Sequence, residues 1–171
     1  MTQTEAIALI PARYASTRFP GKPLAKLGGE SVIRRVCRQV EKAGIRPVVA
    51  TDDERILREV EEGGYKAVMT SSTHCSGTDR ICEALRLLEA EEGRGKGVVL
   101  NVQGDEPFIR PEQLRSLIEV FSDPEVKIAT LVRRYEKGRG IEGLEDPNLV
   151  KVSTRANGDA LTFSRSVLPH I

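Results

Sequence analysis

The amino-acid sequence predicts an α/β fold: a doubly wound, mostly parallel sheet, extended near the C-terminus by a partial β-hairpin. Three observations carry that expectation. Short apolar runs of strand length alternate with longer segments whose apolar residues recur at helical spacing. Those runs are continuous, as in strands covered on both faces, and do not alternate with polar residues. Capping and turn residues stand at the junctions between the two kinds of segment.

Ala6 to Ile10 is the first strand, stopped by Pro11. Ser31 then serves as N-cap for a helix whose stripe is Val32, Ile33, Val36, Cys37 and Val40, with Gly44 as its stop. Pro47 to Ala50 forms the second strand, ended by Thr51-Asp52-Asp53. A helix carrying Ile56, Leu57 and Val60 follows, closed by Gly63-Gly64. Lys66 to Met69 is a third strand. Thr78 to about Ala90 is helical, with Ile81, Leu85 and Leu88 on one face. Val98 to Val102 is the fourth strand, and Pro111 opens a helix containing Leu114, Leu117, Ile118 and Phe121. A fifth strand is expected from Ile128 to Val132. The charged, Gly-rich stretch from Glu136 to Glu145 reads as a surface loop. Leu149 to Ser153 and Ala160 to Phe163 read as a hairpin around Asn157-Gly158. This change of pattern divides the chain into an α/β domain, 1–134, and a remainder, 135–171.

A chain of 171 residues can bury a core as one domain, and 39% hydrophobic with 30% charged residues is ordinary for a soluble protein. The net charge of +1 provides no global field toward nucleic acid or an anionic membrane, so neither is expected as a partner. No apolar run is long enough to span a bilayer. The N-terminus lacks the basic start and apolar stretch of a signal peptide, which makes a cytoplasmic location the expectation. Cys37, Cys75 and Cys82 form no CxxC pair, and Cys37 falls on a helical stripe as a small core residue. His74-Cys75 has no second ligand pair at zinc spacing.

In an open parallel sheet the ligand sits beyond the carboxyl ends of the strands, near the switch point of strand order. The segment Pro11 to Pro23 follows the first strand and carries Arg13, Arg18 and Lys22 with almost no counter-charge. Arginine forks and a lysine point charge suit a polyphosphate, and position favours that reading over a merely solvated basic loop. No GxGxxG follows the first strand and no GxxxxGK[ST] occurs, which removes the main support for a dehydrogenase or a P-loop kinase. After the fourth strand come Gln103-Gly104-Asp105-Glu106. Asp105 can ligate Mg²⁺ through one oxygen, or Gly104 can permit a bend while Asp105 caps the next helix; the residues alone favour neither. His74 to Arg80 leads into a helix. Ser76, Gly77 and Thr78 could face a base edge, or a Ser or Thr could simply be the N-cap with Asp79 in the first turn, and His74 reads as an exposed loop histidine.

Together these segments resemble the 3-deoxy-manno-octulosonate cytidylyltransferase (CMP-Kdo synthetase) family. The matching pieces are Ile10 to Leu24, Val49 to Asp53, Cys75 to Arg80, Asn101 to Pro107, Asp146 to Val152 and Phe163 to Pro169, in the family's order. The resemblance implies a nucleotide-diphospho-sugar transferase-like sheet and a reaction for lipopolysaccharide synthesis. In it CTP and the sugar acid Kdo would give CMP-Kdo and pyrophosphate with Mg²⁺. It implies Arg13, Lys22 and Asp105 as the catalytic group, and Arg13, Arg18 and Lys22 on the CTP phosphates. Ser76, Gly77 and Arg80 would lie near cytosine and ribose, Gln103 and Arg165 at Kdo, and Asp105 at the metal. Residues 1–134 would bind nucleotide, while 135–171 would begin a sugar-binding and dimerisation portion. Family members continue beyond the Phe163 segment and form homodimers, so the chain is expected to be truncated at its C-terminus. Other readings are a CTP-binding module without turnover, or an enzyme for another sugar acid or a sugar phosphate. Tyr14-Ala15 and Gly77 to Arg80 fit the Kdo pattern better than the latter.

Overall fold

A computed structural model describes residues 5–15, 19–93, 97–135 and 144–167. The chain forms two compact units, 1–129 and 130–171. In the first, β1 (Ala6–Ala12) is followed by a small hairpin of β2 (Lys26–Leu27) and β3 (Glu30–Ser31), then α1 (Val32–Lys42). Next come β4 (Arg46–Thr51), α2 (Glu54–Glu62), β5 (Lys66–Met69), α3 (Gly77–Glu92), β6 (Val98–Asn101) and α4 (Pro111–Glu119).

The four main strands are parallel and ordered β5-β4-β1-β6. β1 is central, and its alternate residues reach opposite faces. Ala8, Ile10 and Ala12 join Ile33, Val36 and Val40 of α1, Ile56 and Val60 of α2, and Leu114 of α4 in one cluster. Ile7 and Leu9 join Val48 and α3 residues Ile81 and Leu88 in another. Helices therefore cover both faces, which is why the strands read as unbroken apolar runs. Leu9 and Ile10 are fully buried, and burying each such side chain is worth about 1.5–3 kcal/mol.

The helix starts follow the expected chemistry. Ser31 Oγ accepts from Arg34 N at 3.4 Å, Asp53 Oδ1 from Arg55 N at 3.0 Å, and Ser76 Oγ from Asp79 N at 3.1 Å. From β1 the chain steps outward through β4 to β5, then returns by α3 to place β6 on β1's other side. Strand order thus reverses between β1 and β6, and their carboxyl ends define the crevice where a ligand belongs.

Three expectations need correction. Pro11 does not stop the first strand, which pairs with β4 through Pro11 to Ala12. Ile128 to Val132 is not a strand: the segment is irregular and Ile128 is 91% exposed. β-branched residues make a strand only against a partner edge, and among the described residues none pairs with this segment, which straddles the division between the units. The last helix of the first unit stops at Glu119 and tightens into a 3-10 turn, Val120–Ser122, that takes up Phe121.

In the second unit β7 (Lys151–Thr154) pairs antiparallel with β8 (Ala160–Ser164), Val152 opposite Phe163, with an irregularity between Ser153 and Thr154. The Asn157-Gly158 turn lies where the sequence puts it, Gly158 N donating to Arg155 O at 3.0 Å.

Candidate active site

A cleft of about 200 Å³ opens at the carboxyl ends of β1 and β6. Pro11, Ala12 and Arg13 form one wall, Gln103 another, and the approach to α3 from His74 to Gly77 a third, with Arg80 behind it. All three sequence motifs therefore contribute to one place.

Arg13 emerges directly from β1, exposed. Tyr14 turns back to pack on the core, and its carbonyl accepts from Gly21 N at 2.9 Å, which closes the basic loop. Gly21 has φ 71°, and a Cβ there would lie 2.9 Å from Tyr14 Cε2, so only glycine fits without strain. Lys22 follows at the start of a 3-10 turn, Lys22–Leu24. Arg18 lies outside the described residues.

Beyond β6, Val102 is buried and Gly104 passes so close to β1 that a Cβ would stand 2.7 Å from Pro11 O. Gly104 is thus required by close approach; it lies outside the positive-φ glycines. Asp105 does not cap the next helix, since the N-cap of α4 is Arg110. Its Oδ2 instead receives Lys22 Nζ at 2.7 Å, joining the strand-one loop to the strand-six loop. Both side chains are about half exposed (43% and 54%), so this pair contributes at most about 1 kcal/mol and opens readily to a phosphate or a cation. Arg13 has no ion-pair partner among the described residues.

At α3, Ser76 is the N-cap and also stands on the cleft wall. Its hydroxyl caps the helix and donates to Asp79 Oδ2 at 2.7 Å, while the residue also lines the cleft. Gly77 opens the helix where a Cβ would come within 3.2 Å of Pro11 Cγ. Arg80 is 3% exposed. Nη2 donates to Asp52 Oδ2 at 2.7 Å and Nη1 to Thr70 Oγ1 at 2.7 Å, while Thr70 Oγ1 donates to Thr51 O at 3.0 Å. A buried guanidinium needs such partners, and here they tie together the ends of β4, β5 and α3. Gln103 Nε2 donates to Asn101 Oδ1 at 3.0 Å on the cleft wall. Arg165 lies in the second unit, where Nη1 donates to Pro147 O at 2.8 Å.

Two neighbours of the site were not assigned roles from the sequence. His74 is not a free loop histidine: Nε2 bonds Glu83 Oε2, which also accepts from Ser71 N at 2.8 Å. The histidine hydrogen bond, then that of Ser71, holds the Glu83 carboxyl below its ordinary value. Arg55 forks Asp53, Nε to Oδ1 at 3.0 Å and Nη2 to Oδ2 at 2.6 Å, and lies 3.4 Å from the centre of the Tyr14 ring. The fork holds the Asp53 carboxyl below its ordinary value. No periodicity exposes the His74–Glu83 and Arg55–Tyr14 contacts, because each joins a loop to a helix. Cys37 is a core residue, its thiol pushed up to about 12 by burial.

Among the described residues no three His, Cys, Asp or Glu cluster as a metal cage. The donor chemistry that would fit Mg²⁺ is the carboxylate of Asp105, whose Oδ1 takes no hydrogen bond among the described residues, in a site where phosphates would supply the remaining oxygens. No helix among the described residues is long and apolar enough to cross a membrane.

A family model described as cytidylyltransferase matches residues 7–171. Among curated relatives, the 3-deoxy-manno-octulosonate cytidylyltransferase of Phocaeicola vulgatus is 53% identical, over 95% of this chain and 63% of the relative. That of Porphyromonas gingivalis is 50% identical, over 98% and 65%. That of Myxococcus xanthus is 44% identical, over 100% and 67%. A solved structure of CMP:2-keto-3-deoxy-manno-octonic acid synthetase complexed with CTP superposes with a TM-score of 0.82 at 38% identity, covering 98% of this chain and 66% of that one. The chain spans just under two thirds of the length of the first two of these relatives. On the matched family model and on relatives aligned along nearly its whole length, the chain belongs to the cytidylyltransferase family, alongside the 3-deoxy-manno-octulosonate cytidylyltransferases.

Proposed function

We propose that the chain carries the nucleotide-binding machinery for transfer of CMP from CTP to 3-deoxy-D-manno-octulosonate, releasing pyrophosphate and supplying CMP-Kdo to lipopolysaccharide synthesis. The observation that carries this reading is the meeting of Lys22 and Asp105 at 2.7 Å beside a cleft at the switch point of the sheet. Cation and carboxylate from two strand ends form a site that can exchange partners with a nucleotide's phosphates. The names of the relatives and the CTP complex among the solved structures support the choice of nucleotide and sugar.

In this mechanism Arg13 and Lys22, with Arg18, hold the phosphates of CTP and stabilise the charge on the departing pyrophosphate. Ser76 and Gly77, backed by the buried Arg80, face the cytosine and ribose. Gln103 faces the sugar, and Arg165, in the second unit, supplies a guanidinium of the kind that pairs with a sugar-acid carboxylate. The anomeric hydroxyl attacks the α-phosphorus in line, loses its proton, and displaces pyrophosphate as the α–β phosphoanhydride bond breaks. Asp105 would hold Mg²⁺, which supplies charge neutralisation to the triphosphate when bound. A homodimeric, cytoplasmic enzyme without nucleic-acid or membrane partners completes the reading.

The test is a pyrophosphate-release assay with CTP, Mg²⁺ and Kdo, run on this chain and on a version extended to the relatives' length. Release in the extended form identifies the reaction. CTP binding without release in either form would replace it with a binding module, and release with a sialic acid alone would replace the sugar.

A further inference from the structure

We propose that Arg55 is a positioning residue that acts through Tyr14 to set the spacing of Arg13 and Lys22; the inference rests on the CTP reading above. Arg13 follows the end of β1, and Lys22 opens the 3-10 turn. One residue inside each cation, Tyr14 and Gly21 meet, with Gly21 N donating to Tyr14 O at 2.9 Å. The Tyr14 ring lies so close to the Gly21 backbone that a Cβ at Gly21 would stand 2.9 Å from ring carbon Cε2. The Arg55 guanidinium carbon is 3.4 Å from the centre of the same ring, well inside the ~6 Å reach of a cation–π contact.

Arg55 is itself fixed. Its Nε and Nη2 fork both oxygens of Asp53 at 3.0 and 2.6 Å, and Asp53 is held as N-cap of α2 by accepting from Arg55 N at 3.0 Å. A continuous chain of contacts therefore runs from the first turn of α2 through Asp53, Arg55 and the Tyr14 ring to Gly21. It ends one residue from each cation. The planar fork of arginine can stack and pair at once, which a lysine ammonium cannot. Holding the two cations at a fixed separation removes part of the ordering cost of gripping a triphosphate. Arg55 need touch no nucleotide to do this.

Two measurements on the full chain test the clamp. With CTP and CMP titrated separately in Mg²⁺, Arg55→Ala and Tyr14→Leu should each weaken CTP binding about tenfold while CMP changes by less than about twofold. Arg55→Lys should behave like Arg55→Ala, and Tyr14→Phe, which keeps the ring, like the wild type. The double variant Tyr14→Leu/Arg55→Ala should be no worse than either single one. In the nucleotide-free chain, hydrogen exchange at the Gly21 amide should rise about tenfold in Arg55→Ala. Equal losses for CTP and CMP, or rescue by Arg55→Lys, would overturn the positioning role, as would unchanged Gly21 exchange in a variant that melts like the wild type. A wild-type chain that binds no CTP while Gly21 exchange still responds would instead overturn the nucleotide reading.

Discussion

Gly104 and Asp105 are neighbours, yet they answer to different physics, and substitutions separate them. A Cβ on Gly104 would stand 2.7 Å from a backbone oxygen of β1, which has no flexible end to swing aside. Gly104→Ala should therefore push β1 and the strand-six loop apart and cost about 1–3 kcal/mol, read as a lowered urea midpoint. An unchanged midpoint would show that the two backbones have room to part. Asp105, by contrast, is half exposed and, among the described residues, paired only with the similarly exposed Lys22. Asp105→Asn and Lys22→Ala should each leave stability within about 1 kcal/mol. In the extended form, under the proposed reaction, Asp105→Asn should abolish pyrophosphate release while CTP binding stays detectable in excess Mg²⁺. Lys22→Ala should weaken CTP more than CMP if, as proposed, its charge faces the outer phosphates. Full turnover in Asp105→Asn would remove the metal assignment, and equal losses for the two nucleotides would move Lys22 away from those phosphates.

At the scale of elements, the start of α2 makes a prediction whose sign follows from the charges. The Arg55 hydrogen bonds depress the Asp53 carboxyl below its ordinary 3.8. A depressed carboxylate contributes stability that is fully present above the unfolded value and is lost as pH falls through the lower folded value. Asparagine caps a helix as well as aspartate, so Asp53→Asn removes the ionic fork and keeps the cap. The variant should be less stable than wild type at neutral pH by about 0.2–1 kcal/mol, and the gap should close as pH falls below 3.8. Glu83, also depressed, titrates in both proteins and cancels in the difference. Urea denaturation across that range checks it, and a gap independent of pH would mean the fork contributes nothing through charge. The caps themselves were legible locally, Ser31 before its apolar stripe and a Ser or Thr before that of α3, because a cap is a local interaction. So were the strands of the central sheet, because burial on both faces leaves unbroken apolar runs. Ile128 to Val132 has the same letters without a partner edge, and pairing is what no local window contains. The site divides in the same way. Its position after β1 and β6 was readable, whereas the Arg80–Asp52, His74–Glu83 and Arg55–Tyr14 pairs join segments from 9 to 41 residues apart and emerge only once the sheet has ordered them.

For the whole molecule the question is how much of the proposed chemistry each unit can support. Every residue of both buried apolar clusters lies within 1–129. So do Arg13, Lys22, Ser76, Gly77, Arg80 and Asp105. The second unit holds a two-stranded hairpin, and Leu149, Val150, Leu161 and Phe163 are each more than half exposed. A lone hairpin of that kind is marginal in water, while a parallel sheet covered on both faces carries its own cooperativity. A fragment ending at Ala129 should therefore unfold in one transition with a midpoint close to that of the full chain. It should also bind CTP within about threefold, since no proposed nucleotide contact is removed. Calorimetry and nucleotide titration measure both. If Arg165 pairs with the sugar acid as proposed, the fragment should respond to Kdo more weakly than the full chain. A fragment that failed to fold would show that residues 130–171 complete the core. One that folded yet lost CTP would place a nucleotide contact in the second unit, and the division of labour between the two would have to be redrawn.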